Sequence, residues 1–162
     1  LQTTNLSVTW VGILYFVIGV AAVLGGGLGG FISDVIGSRK TIVGSLAIFS
    51  LLFLLLPVAD ISPWVYGITI IIWGMLSWGI APAMQSYLIE TIPEAGDIMQ
   101  SLNNSALHLG IAFGSLAGGI VVNEWSLREN PYVAAGFILI GLLTAILSIR
   151  SSLVVAHKMK ET

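Results

Sequence analysis

Three observations in the sequence predict an all-α integral membrane protein with about five transmembrane helices. Apolar residues make up 56% of the 162 and charged residues only 9%, with a mean hydropathy of +0.99. A soluble domain carries roughly a quarter charged residues, so this composition belongs in a bilayer. The apolar residues also gather into five runs, each close to the about 20 residues that cross a hydrocarbon core. Finally, the charges fall in the connections between runs or at their edges, and none of the 8 Asp and Glu residues lies mid-span.

The chain then reads as one transmembrane unit, 1–162, with spans at about 8–32, 41–58, 63–89, 98–122 and 131–155. The first run ends in a glycine cluster, and a short charged stretch separates it from the second. Ser62-Pro63 opens the third run and Asn130-Pro131 the fifth. Each sets a capping side chain before a proline whose fixed φ suits a first helical turn and whose missing N–H would have had no partner there. Glu94 and Asp97 precede the fourth run, where carboxylates favour the positive end of a helix dipole.

Orientation follows from the basic residues. Arg39 and Lys40 fall between the first two runs and Arg150, Lys158 and Lys160 at or after the end of the fifth, all on one side if the spans alternate; Arg128 falls on the other. The positive-inside rule places the first connection and the C-terminus in the cytoplasm, and Leu1 outside. Trp10, Trp64, Tyr66, Trp125 and Tyr132 gather near the outer interface, as aromatic belts do. The connection 91–97 is acidic on the cytoplasmic side, but acidic residues weigh little in this rule. The sequence starts at Leu1 with no initiator Met, basic n-region or cleavage site, so no signal peptide is recognised and the chain reads as a piece of something longer.

Composition also excludes partners. Formal net charge is -2 and no basic stripe is present, so nucleic acid is not an expected partner. With no cysteine, disulfides, thiolate metal sites and cysteine nucleophiles are all absent. No metal and no cofactor are expected.

The stretch 30–42, Gly-Phe-Ile-Ser-Asp-Val-Ile-Gly-Ser-Arg-Lys-Thr-Ile, resembles the signature loop of the major facilitator superfamily of transporters, G-x-L-a-D-r-x-G-r-k-x-x-l. Gly30, Asp34, Gly37, Arg39 and Lys40 match, whereas Val35 and Ser38 stand where basic residues are usual. The fourth run, from Gln100-Ser101-Leu102-Asn103-Asn104 through His108, Gly110, Gly114, Gly118 and Gly119, resembles the eleventh helix of bacterial drug and metabolite proton antiporters such as arabinose and purine efflux permeases. His108 stands where many of those carry Asn. Together the resemblances imply helices eight to twelve of a twelve-helix transporter, that is, most of the C-terminal six-helix bundle of a major facilitator fold. They imply alternating access by two bundles rocking about a midplane site, driven by a proton gradient, in the plasma membrane. The expected partners are a small-molecule substrate, membrane lipid and the missing N-terminal half. On this reading the chain is not an enzyme, and alone it would not transport.

Glycines and polar residues are the candidate working parts. Gly25-Gly26-Gly27-Leu28-Gly29-Gly30 satisfies the dinucleotide pattern G-x-G-x-x-G literally, but it ends an apolar helix instead of following a strand. Small residues at four-residue spacing let helix backbones approach closely in lipid, and Gly110, Gly114 and Gly118 repeat that spacing as expected packing positions. At about 100° per residue, Ser101, Asn104, Ser105, His108, Ala112 and Ser115 share one face of the fourth run, opposite the glycines. That polar face is read as cavity lining, or as a set of interhelical hydrogen bonds worth about 1 kcal/mol or less each. Gly67, Gly74, Trp78, Ala81 and Gln85 share a face of the third run, where Pro82 can kink the helix. Trp78, Gln85, Asn104 and His108 are the substrate-cavity candidates.

A mid-span carboxylate costs about 2.5 kcal/mol or more, so one kept there is usually functional. With none present, proton coupling is expected from the N-terminal half, or from His108 as the side-chain type that titrates nearest neutrality. The resemblance makes Asp34, Gly37 and Arg39 a conformational latch; a solvated turn is the simpler alternative. Two other classes stay open: a non-transporting scaffold or sensor subunit, and a membrane-embedded enzyme using His108, for which no nucleophile and base pair is evident. No mid-span charge selects the sign of a solute, so neutral or weakly polar substrates are expected, and the resemblance points to efflux.

Overall fold

The computed structural model describes residues 8–57, 63–126 and 128–158. The span end expected at Val58, the cap at Ser62, the Tyr66 ring and the charges of Lys158 and Lys160 lie outside the described residues and side chains. Five helices follow one another: α1 (Val8–Ile36), α2 (Ser38–Leu55), α3 (Pro63–Thr91), α4 (Gly96–Glu124) and α5 (Asn130–Lys158), with a 3-10 turn at Pro93–Ala95 before α4. All five are long and apolar enough to cross a membrane, and no strand occurs among the described residues. Several hydroxyls within the spans turn back onto their own helix, Ser50 to the Leu46 carbonyl at 2.8 Å and Ser77 to that of Trp73 at 2.7 Å. Such bonds remove the cost of a bare donor in hydrocarbon.

The charged stretch between the first two spans is almost wholly helical. One residue, Gly37, separates α1 from α2, with φ 91 in the left-handed region where a side chain would be strained. Its N–H donates to the Ser33 carbonyl at 2.9 Å, and its own carbonyl accepts from the Thr41 N–H at 3.2 Å and the Thr41 hydroxyl at 3.0 Å. Asp34 therefore lies in the last turn of α1 and Arg39 and Lys40 in the first turn of α2.

α1 packs most extensively on α3; α2 packs on α5 and α3; α4 touches α3 and α5 only sparingly. The α1–α3 crossing rests on missing side chains. A Cβ at Gly25 would fall on the Met75 main chain and one at Gly29 on that of Gly79; one at Gly79 would sit 3.0 Å from the Gly25 carbonyl oxygen. Ala21, Gly25, Gly29 and Ser33, spaced four apart, are the buried residues of α1. In lipid, close packing of this kind replaces hydrophobic burial as the force that joins helices. A second centre joins three helices: Ile42 of α2 with Ala83 and Tyr87 of α3 are buried, and Ala145 and Ile149 of α5 pack against them.

α3 continues through Pro82 to Thr91. The proline removes the N–H that would bond the Trp78 carbonyl. Asn130 is the first residue of α5 rather than a flanking cap: Tyr132 and Val133 donate to the Glu129 carbonyl, at 3.1 and 3.4 Å. The Asn130 amide lies instead beside Gly118, where an added Cβ would be 3.4 Å from its Oδ1.

Candidate functional site

Two places gather the functional candidates: the end of the molecule that holds the α1–α2 corner, and the exposed faces of α3 and α4.

At the corner, Ser38 is 2% exposed and its hydroxyl donates to Glu90 Oε2 at 2.9 Å, tying the start of α2 to the end of α3. The Arg39 guanidinium lies 5.9 Å from the centre of the Tyr87 ring. A cation over an aromatic face is attracted by the ring quadrupole, here at the edge of useful range. Tyr87 belongs to the buried cluster with Ile42 and Ala83 against which Ala145 and Ile149 of α5 pack, so the corner joins α2, α3 and α5 at one end. Asp34 and Lys40 are exposed, and Gly30 is half-buried with its Cβ position 3.8 Å from the Pro82 ring. The five signature residues thus divide: Gly37 makes the break between the helices, Gly30 lies within α1 beside Pro82, Arg39 lies over Tyr87, and Asp34 and Lys40 stay exposed.

The Ser38–Glu90 bond was not expected from sequence. Its signals were a serine where the resemblance called for a basic residue and an acid at the end of the third run, 52 positions apart. Ser33 is a further surprise: it is 5% exposed and its hydroxyl has no hydrogen-bond partner.

On α3, the face expected to act as a unit divides. Gly74 is buried against α1, its Cβ position 3.2 Å from that of Ala21, while Trp78 is 59% exposed and Ala81 and Gln85 are also exposed. α1 meets Gly74, Met75, Gly79 and Pro82 and leaves Trp78, Ala81 and Gln85 uncovered. On α4, Ser101, Asn104, Ser105, His108, Ala112 and Ser115 are all exposed. Ser101 and Ser105 satisfy their hydroxyls on the carbonyls one turn back, at 2.9 and 3.0 Å. Gly110, Gly114 and Gly118 face the opposite way, into an apolar cleft of about 370 Å³ walled by Phe49 and Phe53 of α2 and Phe137 of α5. Only Gly118 has a neighbour near its Cβ position; those of Gly110 and Gly114 are open.

A bilayer-spanning helix with hydroxyl, amide and imidazole groups along one exposed face needs protein or water beside it, because hydrocarbon offers these groups no partner. Among the described residues, no group of three His, Cys, Asp or Glu could hold a metal ion.

The family model of the Major Facilitator Superfamily matches residues 1–160. The chain belongs to that superfamily. Among curated relatives, it is 27% identical over 135 residues to the uncharacterized MFS-type transporter YbcL of Bacillus subtilis, covering 83% of this chain and 35% of that one. It is 28% identical over 120 residues to the inner membrane transport protein YdhP of Escherichia coli K12, covering 74% of this chain and 31% of the relative. It is also 28% identical over 130 residues to the sugar efflux transporter named as probable in Helicobacter pylori J99, covering 80% and 33%. This superfamily chain thus spans about a third of the length of the curated relatives it matches. No solved structure matches it. These matches point to a transporter, not an enzyme.

Proposed function

We propose that this chain is part of a secondary active transporter that exports a small neutral or weakly polar solute by alternating access. The observation that carries the reading is the exposed polar face of α4, with Asn104 and His108 unburied on a helix of membrane-spanning length. In this reading that face, together with Trp78 and Gln85 of α3, lines the solute path. The five helices are helices eight to twelve, in the C-terminal half, and the other half completes the cavity. Coupling to the proton gradient comes from that other half, since none of the carboxylates here lies mid-span.

The membrane is the plasma membrane, with the α1–α2 corner and the end of α5 on the cytoplasmic side, following the basic residues Arg39, Lys40 and Arg150. Efflux of a sugar-like solute is supported by the printed name of the Helicobacter pylori relative. The corner acts as the latch: Arg39 on Tyr87 and Ser38 on Glu90 hold α2 against α3 in one state, and the exposed Asp34 meets the other half. Rocking of this kind needs states separated by only a few kcal/mol, a scale that contacts at a membrane edge can set.

The test is export from cells that produce the complete protein, against a panel of drugs, sugars and purines, with and without an uncoupler. Export that an uncoupler abolishes supports the reading; a panel that yields no export by a membrane-inserted protein overturns it in favour of a scaffold.

A further inference from the structure

Ser33 breaks a rule that other span hydroxyls keep. Ser50, Thr69, Ser77 and Thr91 each donate to the carbonyl four residues back on their own helix, at 2.7–2.9 Å. Ser33 is 5% exposed, and among the described residues its hydroxyl is the one buried side-chain polar atom without a hydrogen-bond partner. The hydroxyls that follow it in sequence are committed elsewhere, Ser38 to Glu90 and Thr41 to the Gly37 carbonyl. Leaving a buried hydroxyl unpaired is costly, so its retention calls for a physical account.

A second group without its usual partner lies in the same seam. Pro82 has no N–H to give the Trp78 carbonyl, and a helical carbonyl points along the axis towards the residue four positions on. The register of α1 on α3 sets both groups at one level. Gly25 meets Met75, Gly29 meets Gly79, and the Cβ position of Gly30 is 3.8 Å from the Pro82 ring. Four further residues on each helix bring Ser33 level with the buried Ala83, beside the proline at which the Trp78 carbonyl points.

We infer that the Ser33 hydroxyl and the Trp78 carbonyl are the two halves of one hydrogen bond, open in this conformation and closed in a second one in which α3 bends at Pro82. Proline is where a helix kinks, and each half alone is a liability where water is absent. Closing the bond offsets the strain of the bend, which holds the two arrangements close in free energy, as a two-state element requires. A bend at Pro82 moves Gln85 relative to Trp78 and so reshapes the proposed solute path; the inference rests on that reading of the path.

The experiment reads the distances between spin labels at Ile36→Cys on α1 and Ile89→Cys on α3, in the complete protein in lipid vesicles. Both positions are exposed and both lie beyond the Gly29–Gly79 crossing. Two populations are expected, and Ser33→Ala should reduce the bent one about three- to tenfold, the scale of a single hydrogen bond. Pro82→Ala, which restores an N–H to the Trp78 carbonyl, should lower the same population, and adding Ser33→Ala to it should lower it no further. A single population in the native protein, or a ratio that Ser33→Ala leaves unchanged, overturns the proposal. An equal further drop on the Pro82→Ala background also overturns it, because a hydroxyl that only fills space acts whether or not the proline is present. Should the labelled protein not fold, the thermal midpoint of unlabelled Ser33→Ala decides. It is expected to hold or rise, since an unpaired buried hydroxyl is removed, and a fall overturns the proposal. None of these readouts needs flux, so a bend governed by Ser33 in a protein that moves no solute upholds the device while refuting transport.

Discussion

Gly29 of α1 and Gly79 of α3 meet through their main chains, with no room for a Cβ at Gly29. The contact fixes the crossing of the two most extensively packed helices and so the platform from which α3 shows Trp78 and Gln85.

Gly29→Ala should therefore be far worse than Gly27→Ala, although the two differ by two positions. Gly27 has nothing within 4 Å of its Cβ position, whereas Gly29 has the Gly79 main chain. Overpacking costs about 1–3 kcal/mol, so folded yield in detergent should fall about tenfold for Gly29→Ala and change little for Gly27→Ala. Equal yields would show that the helices do not cross here.

Ser38→Ala should lower the thermal midpoint of the complete protein, because a buried hydroxyl that serves a carboxylate is lost. With Glu90 exposed, the expected cost is about 1 kcal/mol. Glu90→Gln keeps an acceptor oxygen and should cost less. Ser38→Ala combined with Glu90→Ala should cost less than the sum of the two single changes, because they share one bond.

Tyr87→Phe keeps the ring under Arg39, while Tyr87→Leu removes it. If that contact helps hold the latch, the Phe variant should retain flux and the Leu variant should lose flux by more than its folded yield falls. The ring attraction is about 0.5–1 kcal/mol at exposed sites, so a several-fold shift between transport states is the scale to expect. Asp34→Asn is the companion test: Asp34 is exposed, so insertion and folded yield should be unchanged while flux falls.

Much of this arrangement is legible in the sequence because lipid imposes simple rules. The five apolar runs fall on the five helices α1 to α5, each long and apolar enough to cross a membrane. The four-residue glycine spacing on α1 announced a close crossing, though not its partner. What stayed hidden was long-range or angular. The connection between the first two spans reads as a loop from its charges, yet Gly37 alone makes the break, because one residue at positive φ lets both helices run up to it. Ser38 and Glu90 lie 52 positions apart, and nothing local pairs them. The α3 face separated at Gly74 because periodicity gives angles between residues but not which of them a crossing helix covers.

Asn104→Ala and His108→Ala should leave folded yield within about twofold, since both side chains are exposed and truncation opens no cavity in a packed core. If they line a solute path, KM or maximal rate should change in the complete protein. A loss of yield without a kinetic change would assign them to helix packing instead.

The most direct test of the central claim is solute flux by the purified complete protein in proteoliposomes under an imposed pH gradient, with Asn104→Ala measured in parallel. Proton-driven flux of a neutral or weakly polar solute, reduced in the Asn104 variant at equal protein content, is the expected result. Flux that is absent for every solute class, or present and untouched by Asn104→Ala, would contradict the assignment of the α4 polar face to the transport path.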